Sequence, residues 1–105
     1  MTDKITVLAP FTLAKGKTEA DLLAASAAFQ ANFVAAEPGV LRRELVRTGD
    51  GKYIDIVQFR SAADLEDVME KEKTSAVCHA FFEVMEEGDG SDSCIAHYQS
   101  IATYP

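Results

Sequence analysis

Thr48-Gly49-Asp50-Gly51-Lys52, near the middle of the chain, constrains the fold more than any other segment. Its glycines supply positive φ at no steric cost, which a tight reversal between two strands requires. The flanking runs suit strands: Val40 to Arg47 before it and Tyr53 to Phe59 after it, the latter rich in aromatic and β-branched residues. An antiparallel hairpin is expected at the centre, and the remaining segments must pack against it.

N-terminal to the hairpin, Lys4 to Phe11 alternates with Ile5, Val7, Ala9 and Phe11 on one side, a first strand with Pro10 near its end or at a sheet edge. Thr18 fits a helix N-cap, with Glu19 and Asp21 placing negative charge in the first turn. Ala-rich sequence then runs to about Ala36, with Leu22, Phe29, Phe33 and Ala36 on one helical stripe, until Glu37-Pro38-Gly39 ends it. C-terminal to the hairpin, Ser61 is the next N-cap, reinforced by Asp64. Leu65, Val68, Met69 and Ala76 form one stripe, while Val77, Phe81, Val84 and Met85 form another, rotated by roughly 100–180° at 3.6 residues per turn. One straight helix cannot bury both, so a break is expected near Thr74-Ser75, where a hydroxyl can cap the second piece. Gly88 to Ser93 reads as a polar loop and Cys94 to Tyr104 as the last strand.

This order, β-α-β-β-α-β, is the split βαβ or ferredoxin-like arrangement: an α+β fold in which an antiparallel sheet carries its helices on one face. At 105 residues the chain fits a single domain spanning 1–105. The second face would not be fully polar in either phase. The last strand sets Ile95, His97, Gln99, Ile101 and Thr103 against Ala96, Tyr98, Ser100, Ala102 and Tyr104, and the third strand is equally mixed. A sheet semi-apolar on both faces implies a second subunit on the face the helices leave bare, hence a homodimer.

The net charge of -7 disfavours nucleic acid and anionic membrane surfaces, since the tightest basic cluster is Arg42-Arg43 with Arg47 nearby. No apolar run approaches the roughly 20 residues that span a bilayer, and no basic segment followed by an apolar one opens the chain; a cytoplasmic location is expected. Cys78 and Cys94 are then expected to be thiols rather than a disulfide.

Three segments carry a family resemblance: Phe33-Val34-Ala35-Ala36-Glu37-Pro38-Gly39-Val40, the run from Tyr53 to Phe59 into Ser61-Ala62-Ala63-Asp64-Leu65, and Ser75-Ala76-Val77-Cys78-His79-Ala80-Phe81-Phe82. Over nearly its whole length the chain resembles the dimeric α+β barrel superfamily, in particular the antibiotic-biosynthesis-monooxygenase-like group. The resemblance implies a dimeric barrel. It also implies an activity drawn from a varied set: cofactor-free quinol oxygenation, haem degradation, chlorite dismutation or dye peroxidation, or a stress-responsive role. Many members carry an acidic residue on the third strand and a histidine in the following helix, positions that align with Val57 and Val68; a later helical histidine aligns with Val77. No tryptophan is present, which matches haem degraders poorly.

His97, mid-strand with Gln99 on the same face, is the leading catalytic candidate, because an imidazole can act as base or hydrogen-bond donor. His79 can face a pocket or, as in some relatives, an iron. Tyr98 and Phe82, with Tyr53, Phe59 and Phe81, can line an apolar cavity, although core packing is the better explanation of the aromatics. Cys94 and His97 are three apart, which on a strand sets them on opposite faces, so no metal site is expected. Asp89 and Asp92 lack the glycine and distal glutamate of a calcium loop.

Two functions follow. In one, the protein binds a small apolar or aromatic ligand and oxygenates it without a cofactor. In the other, favoured by the valines at polar family positions, it is a non-catalytic ligand-binding or stress-responsive dimer. Haem binding is a third reading.

Overall fold

The computed structural model describes residues 3–86 and 95–104. Its elements are β1 (Ile5–Thr12), α1 (Glu19–Asn32), β2 (Val40–Gly49), β3 (Lys52–Phe59), α2 (Ala62–Glu72), α3 (Ala76–Phe82) and β4 (Ala96–Gln99), with a short 3₁₀ turn at Val34–Ala36 between α1 and β2. The four strands form an antiparallel sheet in the order β2-β3-β1-β4, which is the ferredoxin-like topology.

The local signals act as their chemistry requires. Thr18 and Asp21 form a reciprocal capping box at the start of α1. Ser61 caps α2 through the Asp64 N–H, and Arg60 holds the Asp64 carboxylate at 2.8 Å. The break between the two C-terminal stripes falls where expected, with the Ser75 hydroxyl accepting from the Cys78 N–H at the start of α3. α1 ends earlier than its stripe implies. From Phe33 the chain tightens into i→i−3 bonds, Ala36 N–H to Phe33 and Glu37 N–H to Val34, and Pro38 prevents any return to the helix.

Two glycines have distinct tasks. Gly51, at φ +67°, closes the β2–β3 hairpin. Gly39 has an ordinary φ, but a Cβ there would lie 2.5 Å from Asp64 Cβ, so the turn into β2 can pass under the start of α2 only as glycine.

The sheet registers assign each face. Val7, Tyr53, Asp55, Phe59 and Arg43 point toward the helices, and Val7 and Phe59 join Leu22, Phe29, Phe33, Leu65, Val68 and Phe81 in the core. Leu8, Ile54, Ile56, Val46 and Ala96 occupy the other face. None of these five belongs to the core, and no described helix covers them. A polar strip borders them: the Thr6 and Ser100 hydroxyls are 2.6 Å apart, and the Gln58 amide donates to Ser100 and Thr103.

Strand β2 does not alternate evenly. Val40 pairs with Phe59 and Arg42 with Gln58, which leaves Leu41 as an extra residue, 45 % exposed. This bulge shifts the phase so that Val40 and Arg43 both face the helices. Unbroken alternation would have turned Arg43 to the bare face.

The last strand is shorter than its sequence implies. It ends at Gln99, the Ser100 N–H donates to the Lys4 carbonyl, and Ile101 and Tyr104 are 90 % and 84 % exposed in non-strand chain. The expected Gly88–Ser93 loop, with Asp89 and Asp92, and Cys94 with its C-x-x-H spacing lie outside the described residues. Among the described helices none is long and apolar enough to cross a membrane.

Candidate functional site

A cavity of about 290 Å³ lies between the helix-facing side of the sheet and the helices. Strands supply Val7, Val57 and Phe59; α1 supplies Phe29; α2 supplies Leu65, Val68 and Met69; α3 supplies Phe81 and Phe82. Its exposed lining residues, Pro10, Met69, Phe82, Ile95 and His97, mark where it meets solvent. A cavity of roughly 150 Å³ accepts a benzene ring, so this one suits a ligand of about two fused rings.

Four ionisable side chains line this apolar space: Arg43, Asp55, Glu72 and His97. Arg43 and Asp55 form an ion pair at 3.1 Å, with side chains only 7 % and 9 % exposed. The bulge at Leu41 delivers Arg43 to this face, and the strand period delivers Asp55. The guanidinium is held on all sides: its Nη2 donates to Ser26 Oγ at 2.9 Å, and it lies 4.9 and 5.0 Å from the Phe29 and Phe81 ring centres. Ser26 thus serves as the one polar residue in the buried stripe of α1.

Burial pushes the Asp55 carboxyl above its ordinary value, and the Arg43 charge opposes that shift only in part. Burial, with repulsion from Asp55, raises Glu72 at the end of α2 to about 7. A carboxyl so placed changes protonation near neutral pH, as an acid–base group must. Cys78 is fully buried, its thiol pushed up by burial, and it does not line the cavity.

The four residues singled out from sequence separate into two pairs. His97, paired with Val7 across β1, lines the cavity at its rim, and so does Phe82. His79 does not line it: the ring Nε2 is 2.9 Å from the Lys73 carbonyl, at the junction of α2 and α3. Tyr98 follows His97 on β4, points to the bare face beside Thr6 and is 55 % exposed. The third strand does carry a buried acidic group facing the cavity. It is Asp55, two residues before Val57 on the same face, while Val57 and Val68 add apolar wall. In the sequence Arg43 stands out only as part of the basic cluster Arg42-Arg43, and Glu72 not at all. Arg43 was masked by the bulge. Glu72 lies one helical turn past Val68, the signal that could have found it. Among the described residues no group of three His, Cys, Asp or Glu side chains could hold a metal ion.

No protein-family model and no curated protein matches the chain. Solved structures do match in fold. SnoaB, a cofactor-independent oxygenase from Streptomyces nogalater, superposes with a TM-score of 0.74 at 19% identity, covering 99% of both chains. A candidate antibiotic biosynthesis monooxygenase from Caulobacter crescentus gives 0.73 at 22% identity, over 96% of this chain and 92% of that one. Another, from Bordetella bronchiseptica, gives 0.74 at 18% identity, over 96% and 100%.

Proposed function

We propose that this chain, whose fold is that of the antibiotic-biosynthesis-monooxygenase-like group, is a cytoplasmic homodimer that binds a small planar aromatic ligand between sheet and helices and oxygenates it without a cofactor. The observation that carries the reading is the cavity itself, apolar, of about two-ring size and lined by four ionisable side chains. The likeness in fold to a cofactor-independent oxygenase supports it.

The chemistry asks little of the protein. An activated ring methylene gives a proton to His97 at the rim, and the carbanion transfers electrons to dioxygen, forming the C–O bond. The peroxide takes the proton back and loses water, leaving a carbonyl. In sum, CH₂ and O₂ become C=O and H₂O, carbon losing the four electrons that dioxygen gains. The apolar walls keep solvent protons from the carbanion.

Oxygen uptake by purified protein across a panel of quinols and anthrones tests this. Uptake is expected on at least one compound, with kcat at least tenfold lower in His97→Ala. No uptake on any of them overturns the oxygenase reading, and undiminished uptake in the variant overturns the role of His97. A second reading, ligand binding without turnover, is favoured by the purely apolar contribution of Val57 and Val68 to the wall. Tight binding of a panel member without uptake would select it.

A further inference from the structure

Asp55 is 6 % exposed, yet its two oxygens are not equally served. Oδ2 accepts from Arg43 Nε at 3.2 Å. Oδ1 lies 3.1 Å from the same nitrogen but receives no aligned hydrogen bond, and it is the one buried side-chain polar atom among the described residues left without a partner. Arg43 cannot remedy this by turning, because Nη1 and Nη2 are engaged by the Ser26 carbonyl and hydroxyl and the Phe29 and Phe81 rings hold the plane. A buried carboxylate oxygen without a donor is costly, and native proteins rarely leave one.

The cavity next to Asp55 offers little to fill that need. Ala9, its ladder partner on β1, has no polar side chain, and neighbouring Pro10 has no N–H. Oδ1 is itself closed off, so a ligand donor reaches it only with a small turn of the carboxylate toward the cavity that Asp55 lines. That ligand also has to be uncharged or nearly so: Arg43 and Asp55 already balance, and Glu72 lines the same space, so an anionic ligand would meet two carboxyls.

We infer that Asp55 Oδ1 is the polar anchor of the cavity, selecting a neutral planar ligand whose aromatic O–H or N–H donates to it. This rests on the ligand-binding reading above and adds a rule of selection to it. It makes Asp55 a specificity determinant and makes ligands that lack a donor poor ones, because a site built around a buried acceptor discriminates strongly against partners that leave it unpaired.

A ligand series on the unaltered protein tests the inference without endangering the fold. 2-Naphthol and indole, which carry a donor, are compared by titration calorimetry with 2-methoxynaphthalene and 1-methylindole, which do not, and with 2-naphthoate. Each donor is expected to bind at least tenfold tighter than its methylated partner, with naphthoate weakest. In protein labelled at aspartate ¹³Cγ, 2-naphthol is expected to shift the Asp55 signal and 2-methoxynaphthalene to leave it in place. Equal binding of donors and methylated partners, or an unmoved Asp55 signal, overturns the anchor while leaving the cavity as a binding site. Failure of every probe to bind overturns the ligand-binding reading and the anchor with it.

Discussion

Each face of the sheet departs in one place from the usual division between polar outside and apolar inside. The covered face, packed under α1, α2 and α3, holds the buried charges Arg43 and Asp55 and the half-buried Glu72. The bare face, with no described helix over it, is apolar at its centre, where Leu8, Ile54 and Ile56 stand half-buried beside one another. Stability alone would favour the opposite arrangement, since buried charge is costly and exposed apolar surface contributes nothing. In our proposal each departure answers to something outside the single chain: a ligand on the covered face and a second copy on the bare one.

The contrast is broken most severely at its charged centre. Arg43→Met leaves Asp55 buried and uncompensated, and urea denaturation is expected to show a loss of about 3–5 kcal/mol. The double variant Arg43→Met with Asp55→Leu is expected to regain most of it, because an apolar pair of similar volume does not need the ionic one. If the single variant is as stable as wild type, the covered face does not depend on its charges.

Glu72 sharpens the same face by pH. Its folded carboxyl sits at about 7 against an ordinary 4.5, so its proton is held more tightly in the folded state. The associated stability is complete below pH 4.5 and is lost as pH rises toward 7, after which the cost stays constant. Allowing for partial exposure, the loss is on the order of 2 kcal/mol. Glu72→Gln should remove it, and its stability advantage over wild type should grow between pH 4.5 and 8 in thermal melts. A difference that is flat with pH would show that Glu72 is solvated.

The bare face is tested by Ile56→Lys. A dimer closed over this surface is expected to weaken at least tenfold by sedimentation equilibrium, while the melting temperature of the monomer changes little because Ile56 lies outside the core. An unchanged association state would place the interface elsewhere. The smallest effect is expected of Ser75→Ala, which removes the cap of α3 at a cost of about 1 kcal/mol. It should loosen Phe81 and Phe82 against the cavity, read as faster amide exchange in α3 with α1 unaffected.

Local chemistry in the sequence located most of the framework. The hairpin, the caps at Thr18 and Ser61, and the break before Ser75 depend on residues within a few positions of one another, so they were readable in one dimension. Phase was harder to read. Alternation separates His97 from Tyr98 but does not say which meets the helices; the pairing of His97 with Val7 decides it. Arg43 was unreadable because strand parity fails at Leu41, and Glu72 because its burial depends on a sheet contributed by distant segments. His79 was readable as a polar group, yet its contact with the Lys73 carbonyl exists only because the helix breaks as it does.

The extra residue at Leu41 fixes how the chain can tolerate a change in length. The hairpin end of β2 is locked by the turn at Asp50-Gly51, and its other end by Gly39 against Asp64. Leu41 is itself the slack: on the partner strand Phe59, Gln58 and Val57 alternate without a break, so losing Leu41 alone would close the bulge and leave Val40 and Arg43 on the faces they hold. Losing Leu41 and Arg42 together would reverse parity on one side, sending either Val40 or Arg43 through the plane of the sheet. That second lost residue, although exposed, would act at a distance, emptying the cavity of its guanidinium or the core of a valine.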